Sequence, residues 1–318
     1  MAARLYWEDI KIGRALETRL LDIDAFSIKR FAEKFDPQPY HLDRDAAKKS
    51  LFGRLCASGW HVTAMMMKLI SEELIKENIA LVGSKNISWL EWYRPVFEDD
   101  KISAHAKITD KTDAWGESDC GLIDFEIVVV NQEKQKVRSS PHFYLSRGGR
   151  KRKQVSEPTF LHSRWFEDIP VGEFHVFGSY TFSEQEIIDF GKMYTPQIYY
   201  TDPEAALDTR YRGLVASKWH ICAIWMRQMV DYMERYALGV EDGRRNGAGV
   251  RIEDLEQFVP VKPGHTITFT HEIIDKPSGV VRERWGTIRS RNEAFNQRDE
   301  IVLRFNIDIL AERSPITT

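Results

Sequence analysis

The chain has 318 residues, 42% hydrophobic and 12% aromatic, a globular composition with room for about two domains. The balance of 45 basic and 48 acidic residues gives a net charge of −3, which excludes a global positive field for binding nucleic acid or an anionic membrane. The three cysteines, Cys56, Cys120 and Cys222, lack C-x-x-C spacing and indicate reduced thiols without a metal site. No signal peptide or membrane span is apparent, so we expect a cytoplasmic protein.

The beginning of the chain reappears in its second half. Three blocks align with their second copies at an offset of 159 residues: YWEDIKIG (6–13) with WFEDIPVG (165–172), FDPQPYHLD (35–43) with YTPQIYYTD (194–202), and LFGRLCASGWH (51–61) with RYRGLVASKWH (210–220). Further on, RPV (94–96) matches VPV (259–261) at an offset of 165, so the second copy carries about six extra residues around 241–249. The sequence therefore predicts a tandem duplication.

A polar segment with several basic residues, Gly148, Gly149 and Pro158 separates the copies and is typical of a surface linker. A solvated face explains its basic run, with phosphate binding as the alternative. The predicted boundaries are a first domain at 1–147, a linker at 148–159 and a second domain at 160–318.

Each copy shows the same order of elements. Asp24 caps a predicted amphipathic helix, and Ser183 with Glu186 forms a capping box for its counterpart. Longer helices, apolar almost all round, begin near Ser58 and Ser217 and are predicted to be buried. The β-rich segments that follow them are Ile102–Thr109, Leu122–Val130, Val137–Leu145, Thr266–Ile274, Arg282–Arg289 and Ile301–Leu310, with a turn at Asn131–Lys134. This pattern predicts an α+β fold in which each antiparallel sheet wraps one long helix.

Two side chains near the end of the first helix could carry acid/base chemistry. That helix should stop at Asp36, because Pro37 denies the preceding residue the helical conformation. A carboxylate there faces the negative end of the helix dipole and needs compensation, which turn amides or a nearby histidine could supply. His41 follows in a short connection, so Asp36 and His41 form a candidate dyad around one water.

The start of the first buried helix is a candidate oxyanion site. Its first backbone N–H groups have no partner within the helix, and Gly59 allows a ligand to approach them closely. Ser58 serves as the helix cap in either interpretation. A thioester carbonyl at this point would have its developing enolate oxygen stabilised.

The duplication provides an internal control for these candidates. In the second copy, Asp36 is replaced by Thr195, His41 by Tyr200 and Gly59 by Lys218. Features kept in both copies, such as the Trp-His pair at the helix start, are predicted to be architectural. Phosphate-loop, dinucleotide-binding, zinc-protease and nucleophile-elbow motifs are all missing, which leaves cofactor-free acid/base chemistry in the first half.

The segment FAEKFDPQPYHLDRDAAKKSLFGRLCASGWH (31–61) resembles the hydratase motif of MaoC-like (R)-specific enoyl-CoA hydratases and dehydratases. The resemblance implies a double hot-dog fold, with Asp36 and His41 as the catalytic dyad and the Gly59 amide as the oxyanion donor. The sequence departs from the family pattern at Gln38, where Asn is usual, and at Ser58, where His is frequent. Gln38, Ser58 and Trp60 are weaker substrate-binding candidates. Trp60, Met65–Met67 and Trp225 are candidate pocket-lining residues, although core packing is the favoured interpretation.

The predicted activity is that of a hydro-lyase acting on acyl thioesters presented by CoA or a carrier protein. It would interconvert trans-2-enoyl and (R)-3-hydroxyacyl groups without a cofactor. The alternatives are a hot-dog acyl-CoA thioesterase and a non-catalytic acyl-CoA-binding protein. The resemblance implies that the second half acts as a built-in partner, and a homodimer of such chains is compatible with it.

Overall fold

The computed structural model describes residues 4–84, 86–113, 121–133, 136–140, 165–236, 247–277 and 284–314. The predicted linker at 148–159, Cys120 and positions 241–246 of the predicted insert lie outside these residues. The domain boundaries therefore stay a prediction.

The first half contains two short strands, a group of helices and four further strands. In chain order they are β1 (Ala15–Glu17), β2 (Leu21–Asp22), α1 (Ala25–Phe35), α2 (Pro39–Leu42), α3 (Arg44–Lys49), α4 (Gly59–Lys76), β3 (Asn86–Glu91), β4 (Lys101–Asp113), β5 (Gly121–Asn131) and β6 (Lys136–Ser140). Asp24 caps α1 by accepting a hydrogen bond from the Ser27 backbone N–H, as predicted.

The second half repeats this order. Its elements are β7 (Phe174–Thr181), α5 (Glu184–Tyr194), α6 (Ile198–Thr201), α7 (Lys218–Tyr236), β8 (Gly249–Gln257), β9 (Thr266–Asp275), β10 (Trp285–Phe295) and β11 (Ile301–Glu312). The predicted capping box of Ser183 and Glu186 is present at the start of α5. The counterparts of α1, α2 and α4 are therefore α5, α6 and α7, whereas a short 3-10 helix at Ala205–Asp208 stands in the place of α3.

The described strands form one antiparallel sheet of 11 strands that runs through both halves. Its order is β1-β4-β5-β6-β3-β8-β11-β10-β9-β7, with β2 paired to β4. The halves join where β3 pairs with β8, with Leu90 opposite Ile252 and Glu91 opposite Arg251. The first half contributes six strands and the second half five, because β1 and β2 together correspond to β7, and the predicted α+β layout with antiparallel strands is confirmed.

The central helices α4 and α7 lie against the inner face of this sheet. Eleven of the 18 residues of α4 are buried, which matches its predicted place in the core. One hydrophobic cluster contains Phe31, Trp60 and Leu90 together with residues of the second half such as Trp225 and Phe305. The core is therefore shared between the halves across the β3–β8 junction.

The main differences from the sequence-based expectations concern short or junction elements. The strands β3 and β8 were not predicted, although they join the halves, and Gly249, assigned to an insert loop, begins β8. The connection after Asp36 contains the one-turn helix α2 and the short helix α3. The described residues of the β-rich segments lie in strands β4 to β6 and β9 to β11, except Arg284, which is in the turn before β10.

Candidate active site

Asp36 lies buried at the C-terminal end of α1. The helix stops at Phe35, and Asp36 adopts a non-helical conformation with φ −154° and ψ 67°. Its side chain is 2% exposed, so an ionised carboxylate needs nearby hydrogen-bond donors. The turn that follows brings Gln38 and His41 back toward it, with backbone hydrogen bonds from Gln38 N to Asp36 O (2.8 Å) and from His41 N to Gln38 O (2.9 Å).

The imidazole of His41 points at this carboxylate from α2. His41 Nε2 lies 3.5 Å from Asp36 Oδ2, and both side chains are buried. On its other side, His41 Nδ1 lies 2.7 Å from the carbonyl oxygen of Cys56. Because a carbonyl oxygen can only accept, Nδ1 carries the proton and the neutral ring presents the lone pair of Nε2 toward Asp36.

Gln38 and Tyr40 hold the other oxygen of the carboxylate. Gln38 Nε2 donates to Asp36 Oδ1 at 3.0 Å, and the Tyr40 hydroxyl donates to Gln38 Oε1. Burial raises the pKa of Tyr40 well above its ordinary value, so the phenol keeps its proton and stays a donor. The relay supplies the compensation that the sequence required at this helix end, and it leaves Asp36 Oδ2 to face His41.

Burial also controls the charge of His41. Desolvation lowers the pKa of the imidazole, while Asp36 and the Cys56 carbonyl act in the opposite direction. A neutral imidazole beside a carboxylate can accept a proton at Nε2. A water seated between Nε2 and Oδ2 could donate one hydrogen to each, leaving an oxygen lone pair directed outward.

Gly59 begins α4 three residues after Cys56. Ser58 caps this helix, its Oγ accepting a hydrogen bond from Trp60 N at 3.2 Å. The structure gives the Gly59 N–H no acceptor among the described residues, and Gly59 is half-buried. The segment that orients the His41 ring through the Cys56 carbonyl therefore also carries the candidate oxyanion donor.

Trp60 lies mainly in the core. Its ring makes edge contacts with Trp92, Trp225 and Phe305 at centroid distances of 5.7–6.0 Å. Trp225 and Met65–Met66 are buried as well, which favours the core interpretation of these residues. Substrate contacts of Gln38, Ser58 and Trp60 stay predictions.

The corresponding place in the second half has different side chains. Thr195 ends α5 with a buried hydroxyl that has no hydrogen-bond partner among the described residues, and Tyr200 is buried at the position of His41. Lys218 stands at the position of Gly59 with its side chain fully buried, and burial lowers its pKa to about 8. This half therefore lacks the carboxylate, the imidazole and the open helix start.

Several contacts at the site could not be expected from sequence spacing. The Cys56 carbonyl that holds His41 gives no signal in the sequence, since any residue supplies one. Trp92 packs on Gly59, and the available sequence signal is that its counterpart in the second copy, at an offset of 165, is Gln257. No three His, Cys, Asp or Glu side chains group as metal ligands would, within the described part of the chain.

Comparisons with known proteins agree with this fold. The chain matches solved structures along almost its whole length. One is a candidate MaoC domain protein dehydratase of Chloroflexus aurantiacus (14% identity, TM-score 0.76, 99% of both chains). Another is a conserved hypothetical protein of Mycobacterium tuberculosis with a double hotdog fold (12% identity, TM-score 0.67, 96% of this chain and 98% of the other).

A third solved structure is a candidate oleoyl thioesterase of Lactobacillus plantarum (10% identity, TM-score 0.51, 95% of this chain and 98% of the other). At these identities the likeness defines the class of protein, a double hotdog, and no activity.

The family assignment concerns the first half. Residues 9–129 match the family model described as MaoC like domain. The uncharacterised Bacillus subtilis protein YdeM is 29% identical over 130 residues, which cover 41% of this chain and 90% of YdeM. Residues 9–129 are therefore similar to a MaoC-like domain, and the matched segment contains Asp36, His41 and Gly59. No helix in the described ranges has the length and apolar character to cross a membrane.

Proposed function

We propose that the protein is a hydro-lyase for acyl thioesters, interconverting trans-2-enoyl-CoA and (R)-3-hydroxyacyl-CoA. The observation that carries the proposal is the buried pair of Asp36 and His41, with His41 Nε2 3.5 Å from Asp36 Oδ2 and Nδ1 held by the Cys56 carbonyl. A buried carboxylate beside a neutral imidazole is suited to hold and deprotonate a water. The MaoC-like domain at 9–129 supports the assignment.

In the hydration direction, the thioester carbonyl accepts a hydrogen bond from the Gly59 N–H. The water held between Asp36 and His41 adds its oxygen to the β-carbon and loses one proton to the dyad. The electron pair of the double bond moves toward the carbonyl, and the resulting enolate oxygen is stabilised at the start of α4. The dyad then returns a proton to the α-carbon, so the enzyme ends in its starting state.

The second half completes the fold without a site of its own in this proposal. Thr195, Tyr200 and Lys218 supply neither the base nor the open helix start. One chain should therefore bind one acyl thioester. Calorimetric titration with a saturated acyl-CoA should give a stoichiometry near one per chain, and a value near two would contradict this assignment.

The substrate is a thioester of CoA or of an acyl carrier protein. An acyl-CoA thioesterase is the competing activity, because the same water could attack the carbonyl carbon. The competing non-catalytic role is acyl-CoA binding.

A panel of trans-2-enoyl-CoA substrates tests the proposal. Hydration removes the absorbance of the conjugated enoyl thioester without releasing thiol, and chiral analysis should find the (R)-3-hydroxyacyl product. Release of free CoA thiol would indicate a thioesterase. Tight acyl-CoA binding with neither signal would indicate a binding protein, and an (S) product would contradict the stereochemical part.

A further inference from the structure

The indole of Trp92 packs directly on Gly59. Trp92 follows strand β3 immediately. A β-carbon built on Gly59 would lie 2.8 Å from Trp92 Cε2, 3.1 Å from Cδ2 and 3.2 Å from Cζ2. At these distances a side chain at position 59 would force the indole to shift, so glycine lets Trp92 keep its place. The open start of α4 and the placement of Trp92 are thus one packing arrangement.

Thr63 links this indole to the first peptide of α4. Trp92 Nε1–H donates to Thr63 Oγ1 at 3.3 Å, and Thr63 Oγ1 donates to the carbonyl oxygen of Gly59 at 2.9 Å. The Trp60 ring meets the same indole edge-on at a centroid distance of 5.7 Å. The rotation of Trp92 and the orientation of the helix start are therefore fixed together.

The second half supports Trp92 through strand β8. Trp92 N donates to the carbonyl oxygen of Val250 at 3.1 Å, extending the β3–β8 ladder by one residue. A β-carbon on Gly249 would lie 3.6 Å from Trp92 Cζ3, so the backbone of β8 borders the indole. The half without a dyad thus helps to set the position of a side chain at the candidate oxyanion site.

The second copy lacks all three members of this arrangement. Offsets of 159 for the helices and 165 for the strands relate Gly59 to Lys218, Thr63 to Cys222 and Trp92 to Gln257. The pairing register agrees with the strand offset. An offset of 165 relates Asn86 to Arg251 and Glu91 to Glu256, and Asn86 pairs with Glu256 just as Arg251 pairs with Glu91. The indole of Trp92 lies where a β-carbon on Gly59 would project. At the same position the second copy has the buried side chain of Lys218.

We propose that Trp92 is a positioning residue of the oxyanion site, holding the Gly59 amide in place with the help of Thr63 and β8. The inference rests on the proposed function, since it gives the Gly59 N–H a thioester carbonyl to bind. Loss of the indole lets the helix start shift. Misplacement of an oxyanion donor weakens the binding of the transition state more than the binding of the substrate. The kcat therefore falls more than the KM rises.

Trp92→Leu tests the proposal, with Trp89→Leu in the adjoining strand β3 as the matched control. A misplacement of about 1 Å costs roughly 10²-fold, so we expect kcat for crotonyl-CoA hydration to fall by about 10²-fold in Trp92→Leu, with KM within about threefold. Trp89→Leu should keep kcat within about threefold. Trp92→Phe retains a ring on Gly59 and should recover most of the activity, while Thr63→Val should give an intermediate loss.

Equal kcat values in Trp92→Leu and Trp89→Leu overturn the inference, as does a loss in Trp92→Leu confined to KM. A wild-type protein that hydrates no enoyl-CoA defeats the proposed function instead. In that case the affinity for butyryl-CoA, measured by calorimetry, decides whether Trp92 contributes to an acyl-CoA site. Weaker binding by Trp92→Leu than by Trp89→Leu then supports a place at the acyl-CoA site, and equal affinity overturns it.

A thermal double-mutant cycle checks the underlying contact. Gly59→Ala should lower Tm strongly with Trp92 present, because the new methyl meets the indole, and much less in the Trp92→Leu background. Additive Tm changes would show that the two residues are not in contact and would overturn the inference as well.

Discussion

The ends of α1 and α5 have nearly the same backbone but different side chains. Asp36 has φ −154° and ψ 67°, and Thr195 has φ −143° and ψ 72°. In both turns the backbone N–H two residues further on donates to the carbonyl oxygen of this residue at 2.8 Å, from Gln38 to Asp36 and from Gln197 to Thr195. The second copy has therefore kept the geometry of the turn although it lacks the carboxylate.

The histidines at the helix starts show the same conservation of architecture. His61 stacks on Phe31 at 4.5 Å and 11°, and His220 stacks on Phe190 at 4.6 Å and 8°. These pairs come from residues common to both copies, and their matching geometry indicates a role in the fold. This agrees with the interpretation of His61 as a structural residue.

The glutamines at the two turns show where the copies diverge. Gln38 Nε2 donates to Asp36 Oδ1, whereas Gln197 Nε2 reaches across to Ser71 Oγ of α4 at 2.7 Å. Without a carboxylate at position 195, the second amide binds a partner in the other half. The comparison shows that the dyad side chains can be absent while the backbone that would hold them, and the packing between the halves, stay intact.

Removing residues 160–318 should have the largest effect. The remaining first half would expose the edge of β3 and the apolar surface that Phe31, Trp60 and Leu90 share with the second half. We expect insoluble or inactive protein, measured by soluble yield and enoyl-CoA hydration. Co-expression with residues 160–318 is the control and should restore soluble protein. Full activity from residues 1–147 as a monomer would show that the second half is dispensable.

The dyad variants come next in expected size. Asp36→Asn or His41→Gln should lower kcat by roughly 10²–10⁴ with Tm nearly unchanged, because each removes one proton-transfer group from the site. Thr195→Val and Tyr200→Phe, at the corresponding positions of the second half, are the matched controls and should leave kcat unchanged. An unchanged kcat in either dyad variant would remove that residue from the mechanism.

Gln38→Leu should have a smaller effect. A hydrogen bond to a charged group contributes about 1.5–3 kcal/mol, and about 1.4 kcal/mol corresponds to a factor of ten. Loss of the donor to Asp36 Oδ1 should therefore lower kcat by at least about tenfold and alter the pH profile of kcat. Gln197→Leu is the matched control, expected to change Tm through its bond to Ser71 and to leave kcat unaltered. Equal kcat in the two variants would contradict a role for the relay.

The buried histidines should produce the smallest effect, on stability at acid pH. Burial lowers the pKa of His61 and of His220 to about 3. The folded state then binds fewer protons than the unfolded state below about pH 6.5, so the free energy of unfolding should decrease as the pH falls from 6.5 toward 3.

His220→Phe tests this dependence in the second half. Both ring nitrogens of His220 lack hydrogen-bond partners in the part of the chain that the structure describes, and phenylalanine preserves the stack on Phe190. Urea unfolding should show a smaller loss of stability between pH 7 and pH 5 for the variant than for the wild type. Measurements at pH 8 provide the reference, since the histidine is neutral in both states there. Parallel losses in both proteins would contradict the prediction.

The sequence by itself determined the duplication, the capped helices and the one half that carries Asp36, His41 and Gly59. These follow from local rules. A proline ends α1 after Asp36, Ser58 caps α4, and the apolar spacing predicts two buried helices. The internal repeat then separated residues common to both copies from those present in one.

Only the tertiary structure decided how the halves join and what holds the site. The β3–β8 pairing, the Cys56 carbonyl on His41 and the indole of Trp92 on Gly59 are contacts between distant parts of the chain. A backbone carbonyl has no identity in the sequence, and strand pairing depends on which edges packing brings together. The same Gln-x-Tyr spacing also gives different hydrogen bonds in the two copies, because the neighbouring side chains, and not the local sequence, choose the partner of the amide.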